Sequence, residues 1–363
     1  MHEEALFAHA LNCTTDFNPL RLTQLQAYFG SYKEVWNAPS HEIAAALQNE
    51  ELGYAIAKNR ASVNPEKIRN HLEKLRVTLI MKEDAAYPDL LRFIPSPPAL
   101  LYVEGTLLPT QQPSVAVVGT RMATSYGREV CEALVSPLAK VGIPIISGLA
   151  AGIDTHAHRT TLAARGYTAA VLGSGIERSV LYPANNKRLA DEIVANGGAL
   201  ISEYPPDMRA ANWTFPLRNR IIAGVSSAVL VIEAREKSGT LITARHALEF
   251  GREVLAVPGS IFSATSKTPH DLIRDGATPI TSADDIFEAL GIATENEQGS
   301  KQKQSLSPDE HQILDLLTEP RSTNDLARLL VKPVGEVQRT LALLEIHGMV
   351  SVVVNNTYRR THI

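Results

Sequence analysis

Between residues 114 and 290 the chain repeats one arrangement: a short apolar run, a glycine-bearing turn, then a segment with apolar residues at helical spacing. The runs are 115–118, 143–146, 169–172, 228–232 and 254–257, and none alternates with polar residues. A strand that is apolar on both sides must be covered on both sides. A parallel sheet with crossover helices on its two faces does this. The pattern therefore predicts an α/β architecture with a Rossmann-like, mostly parallel sheet core.

Ligands of such sheets collect beyond the carboxyl ends of the strands, where loops and helix N-termini meet. Gly119, Thr120 and Arg121 follow the first run, Ser147 and Gly148 the second, and Gly173-Ser174-Gly175 the third. Ser238, Gly239 and Thr240 follow the fourth, directly before a helix expected from Leu241, so free backbone N–H groups and the helix dipole favour a phosphate there. Residues 215–224, Phe-Pro-Leu-Arg-Asn-Arg-Ile-Ile-Ala-Gly, read as a binding loop. Arg218 and Arg220 would meet phosphates beside Asn219, and Phe215 would stack on a base. With the four glycine-bearing turns, Arg121, Arg218 and Arg220 point to a phosphate-lined pocket. The formal net charge is −4, so affinity for a polyanion must come from such a local patch and not from the overall field.

Other chemistries find less support. Gly119 is followed by Thr-Arg, so no GxGxxG dinucleotide fingerprint is present, and no GxxxxGK[ST] occurs. His156 and His158 lack a third ligand at metal spacing, and Asp154 reads as a carboxylate that caps free amides. No metal and no cofactor is expected. Cys13 and Cys131 lie far apart without CxxC spacing, which points to a reducing cytoplasm. The acidic Met1-His2-Glu3-Glu4 start is unlike a signal peptide, and no apolar run reaches the roughly 18 residues of a membrane span.

The flanks differ from the core. Residues 1–82 read as a small helical domain of the SAM/HhH type without the Gly-x-Gly hairpin that would contact a DNA backbone, and Pro95, Pro97 and Pro98 form a rigid connector. Residues 83–290 make the Rossmann-like DNA-binding domain, and 291–306 a polar linker. In 307–363, Ser307-Pro308 and Ser322 open two helices, a third runs from Val334 to His347, and a hairpin turns at Asn355-Asn356. That is a winged helix. Lys332 and Arg339 give its recognition helix little positive charge, so duplex DNA and a protein partner suit it equally.

Taken in order, the strings Val-Gly-Thr-Arg (118–121), Ser-Gly-Leu-Ala-Ala-Gly-Ile-Asp (147–154), Phe-Pro-Leu-Arg-Asn-Arg-Ile-Ile-Ala-Gly (215–224), Glu-Ala-Arg-Glu-Lys-Ser-Gly-Thr-Leu-Ile-Thr-Ala (233–244) and Val-Pro-Gly (257–259) resemble the DNA-processing protein A family, DprA or Smf. The resemblance implies a cytoplasmic homodimer that coats incoming single-stranded DNA in natural transformation, protects it, and helps load the recombinase RecA, without turnover. It implies a DNA pocket of Gly119, Thr120, Arg121, Ser147, Gly148, Phe215, Arg218, Asn219, Arg220, Ser238, Gly239 and Thr240, with Lys267 at its edge. Two departures from the family pattern are Ala151, where many members carry arginine, and Thr268-Pro269-His270 in place of a glycine-led turn.

Two rival functions follow from the same sheet. A nucleotide-cleaving phosphoribohydrolase would need a carboxylate three residues after Thr240, where this chain has Thr243; Glu233 is the nearest substitute and is expected to pair with Arg220 or Arg245. A nucleotide sensor would hold a mononucleotide in the same loops. A dimer face is sought at 250–267, where Ile261 and Phe262 are candidates for exposure.

Overall fold

The structure, a computed structural model, describes residues 3–14, 18–107, 112–236, 238–292, 307–346, 349–353 and 357–361. The chain divides into two compact units, Met1–Ile292 and Ala293–Ile363.

In the first unit a nine-stranded sheet has the order β1-β2-β6-β5-β4-β3-β7-β8-β9. The strands are β1 Val77–Met81, β2 Leu100–Gly105, β3 Val115–Val118, β4 Ile145–Ser147, β5 Thr168–Val171, β6 Ala199–Ser202, β7 Ala228–Val231, β8 Glu253–Ala256 and β9 Thr278–Pro279. From β6 through β9 all pairs are parallel, as the apolar runs require. β2 pairs antiparallel with both β1 and β6.

The pleat sorts the core into two faces. Val115, Val117, Ile145, Leu230 and Leu255 pack under the helices Ser125–Lys140 and Ile153–Ala163, while Ala116, Val118, Val229, Val231 and Ala256 face the helices Thr214–Gly224 and Thr240–Glu249. Toward β1 and β2 the first face is continued by the helical N-terminal region, whose Ala5, Leu25, Tyr32 and Ile43 share a cluster with Leu79, Tyr102 and Leu200. Asn12 donates to the buried Tyr102 hydroxyl, which also lies 3.0 Å from His9 Nδ1.

Three expectations need correction here. Residues 77–81, assigned to the helical region, form an edge strand, and the proline-bearing segment lies between two strands that pair with each other. Residues 199–202 supply a strand that was missed. Residues 215–224 are not a loop: they lie in the helix Thr214–Gly224, with Pro216 in its first turn, where a missing N–H leaves no bond unmade.

The second unit has the helices Pro308–Leu316, Thr323–Leu330 and Val334–Ile346, with a three-stranded sheet of order β10-β12-β11 (Arg321–Ser322, Val350–Val352 and Thr357–Arg360). This is the winged-helix arrangement. Ser307 and Glu310 form a reciprocal capping box, and Ser322 caps Asp325 N–H. The Asn355-Asn356 turn and His347 lie outside the described residues.

Candidate nucleic-acid interface

The connections fix where a ligand should lie. After β3 the chain crosses to β4, whereas β7 lies on the other side of β3 and leads to β8. The carboxyl ends of β3 and β7 therefore flank the switch point at which open α/β sheets bind ligands. A cleft of about 600 Å³ opens there, lined by Gly119, Thr120 and Arg121 after β3, Arg235, Ser238, Gly239 and Thr240 after β7, and Phe215, Arg218 and Asn219 from the facing helix.

Close backbone approach shapes it. Gly152 has φ +82, and a Cβ there would overlap the Thr120 carbonyl. Ile153 N–H donates to Thr120 O at 3.1 Å and Thr120 N–H to Glu233 O at 2.6 Å, so the Arg121 loop is tied on both sides. Asn219 Nδ2 donates to Gly239 O at 3.2 Å and fixes the β7 loop to the helix.

The cations divide by environment. Arg121 and Arg235 are exposed in the cleft, and among the described residues neither is ion-paired. The Arg121 guanidinium lies 5.4 Å from the Phe215 ring centroid. Arg218 is buried in the floor, where it donates to Gly148 O at 2.7 Å and to Val171 O. Burial pulls its pKa down to about 10, with Asp154 opposing. A Cβ at Gly148 would fall 2.5 Å from Arg218 Nη1, so Gly148 makes room for that side chain. Asp154 accepts from Gly148 N–H and Ala150 N–H, and burial raises its pKa against the pull of Arg218.

Four of the expected pocket residues lie elsewhere. Arg220 is 8 % exposed and holds Glu203 through two bonds of 2.6 and 2.7 Å, so it is not a phosphate cation. Ser147 Oγ donates to Val117 O inside the sheet, and Gly148 supports Arg218 without lining the cleft. Lys267 pairs with Asp271 at 3.1 Å outside it. The free amides expected after Gly239 are also engaged: Thr240 N–H donates to Ser238 Oγ, Leu241 N–H to Ser238 O and Ile242 N–H to Gly239 O.

Glu233 pairs with neither arginine. It accepts from Thr124 N–H, Thr124 Oγ1 and Thr265 Oγ1. His158 is buried with Nδ1 2.7 Å from Thr168 Oγ1, and among the described residues no cluster of three or more His, Cys, Asp or Glu could hold a metal. Cleft residues that sequence reasoning missed include Tyr182, Asn212 and Arg235. Arg235 stood within a quoted motif, beside the acids Glu233 and Glu236 that masked it.

A parallel sheet with an arginine-bearing, aromatic-edged cleft at its switch point defines an α/β protein of the nucleotide- or polynucleotide-binding class. Comparison with known sequences narrows this. The family described as DNA recombination-mediator protein A matches residues 78–291, and the DprA winged helix domain matches residues 297–354. The chain belongs to the DNA recombination-mediator protein A family. It is 33% identical to Protein Smf of Synechocystis sp. over 94% of this chain and 95% of that one, and 37% identical to Protein Smf of Escherichia coli over 86% of each. The structure of DNA processing protein A from Streptococcus pneumoniae superposes with a TM-score of 0.68 at 33% identity, covering 79% of this chain and 98% of that one. That of DNA processing protein A from Helicobacter pylori, described with its single-stranded DNA binding mode, gives 0.53 at 28% identity, over 59% and 95%. Among the described residues no helix is long and apolar enough to cross a membrane.

Proposed function

We propose that the cleft binds single-stranded DNA without sequence preference and without turnover, and that the protein serves recombination by protecting the strand and aiding the loading of RecA, as a homodimer in the cytoplasm. The observation that carries this is the pair of exposed guanidinium groups, Arg121 and Arg235, without an ion-pair partner among the described residues and beside aromatic rings at the switch point. Cations for phosphates and rings for bases are what a flexible strand needs. The Helicobacter pylori relative, with its single-stranded DNA binding mode, supports the choice of polymer.

A non-catalytic role fits the carboxylates. Of the described residues lining the cleft only Asp154 is acidic, and two loop amides donate to its Oδ2. Thr243 lines the cleft where the phosphoribohydrolase pattern needs an acid, and a hydroxyl does not replace a general acid or base there.

The test is a salt titration of a labelled single strand and the matching duplex by fluorescence anisotropy. Tighter binding of the single strand is expected, with Arg121→Ala lowering the log–log salt slope by roughly 0.7, one phosphate. An unchanged slope and affinity in that variant would remove the cleft as the site. A mononucleotide that competes as well as the oligomer would turn the protein into a sensor.

A further inference from the structure

The aromatic ring that sequence singles out is already in use. Arg121 covers Phe215 at 5.4 Å, and the Cδ1–Cε1 edge of the ring lies so close to Gly173 that a Cβ there would stand 2.7 and 2.9 Å from those atoms. A base that stacked on that covered face would first have to displace the guanidinium, which is attracted to the ring. Tyr182 is different. It lines the same cleft, its ring centroid lies 5.4 Å from that of Phe215 at an interplanar angle of 54°, and it is 49 % exposed. Among the described residues its hydroxyl has no hydrogen-bond partner.

The loop that carries the ring is tied down. Gly175 N–H donates to Met208 O and Glu177 N–H to Pro206 O, which ties the loop after β5 to the one after β6. Leu181 is buried next to it, and Asn186 anchors the far side by donating to Leu149 O and Thr155 Oγ1, each at 2.8 Å. A flat ring on a pinned loop has few torsions left to lose when a base settles on it, and every base presents a π-face.

We propose that Tyr182 is the ring on which a nucleobase of the bound strand stacks, and that Phe215 serves as the platform that holds Arg121 toward the backbone phosphate. This assignment rests on the single-strand reading of the cleft. It makes Tyr182 the group that senses bases and Arg121 the group that senses charge.

The experiment uses the full chain, a labelled oligothymidylate, and an oligomer of equal length whose residues are abasic. Wild type should prefer the base-bearing strand by roughly 5- to 150-fold, the range of one stacked base. Tyr182→Leu should lose most of that preference while keeping the salt slope, and Tyr182→Phe should restore it. Phe215→Leu should weaken both strands and keep the preference. The proposal is overturned if Tyr182→Leu keeps the full preference, if Phe215→Leu abolishes it, or if wild type binds both strands equally. The last outcome would leave the single-strand reading standing, whereas wild type that binds neither strand would end both.

Discussion

Arg121 and Arg220 look alike in sequence, each beside a polar residue in a motif that suggests phosphate contact. Their surroundings give them opposite roles. Arg121 is exposed over a ring, and Arg220 is buried with the carboxylate of Glu203, whose pKa is raised by burial and drawn back by that arginine. Removing one partner of such a pair leaves an uncompensated buried charge and costs about 3–5 kcal/mol. Arg220→Ala should therefore lower the melting temperature strongly, read by circular dichroism, while Arg121→Ala should leave stability within about 0.5 kcal/mol of wild type. Equal melting of wild type and Arg220→Ala would contradict the pair. The sequence could not show this, because Glu203 stands 17 positions upstream at the end of another strand.

At the level of elements, what was legible followed from periodicity and turn chemistry. The parallel strands β3, β4, β5, β7 and β8 and the capped helices of the winged unit were readable because each is written in a single stretch of chain. The strands β1 and β2 were not, since β1 follows a polar helix, β2 follows prolines, and their pairing is a tertiary fact. The Phe215 segment reads as a binding loop for its ring, guanidinium groups and amide, although Ile221, Ile222 and Ala223 give it a buried helical face. The helix Ile153–Ala163 carries a consequence for pH. Its His158 is buried against Thr168 of β5, and burial, reinforced by the nearby Arg218 charge, lowers its pKa from 6.5 to about 3. The unfolded chain takes up a proton below 6.5 that the folded chain refuses, so this contribution to stability is complete above pH 6.5 and is lost as pH falls toward 3. His9, lowered to about 4 chiefly by burial, acts in the same direction. Across that window the melting temperature of His158→Asn should decline less steeply than that of wild type, and parallel curves would mean that His158 takes up its proton without opposition in the fold.

For the molecule as a whole, a net charge of −4 offers a polyanion no general attraction, so any binding must be counted in individual cations. The cleft cations and rings, from Arg121 to Arg235, lie within Met1–Ile292. The second unit has a separate core of Ile313, Leu326, Val337, Leu341 and Tyr358, and Lys332 in the turn before its third helix is engaged by Asp309. A chain ending at Ile292 should therefore bind a single strand with the salt slope of the full chain, measured by the same anisotropy titration. Each phosphate contributed by the winged helix would lower the slope of the shortened chain by roughly 0.7, so an undiminished slope assigns that unit to some task other than gripping the single strand, and a diminished one makes it part of the binding track.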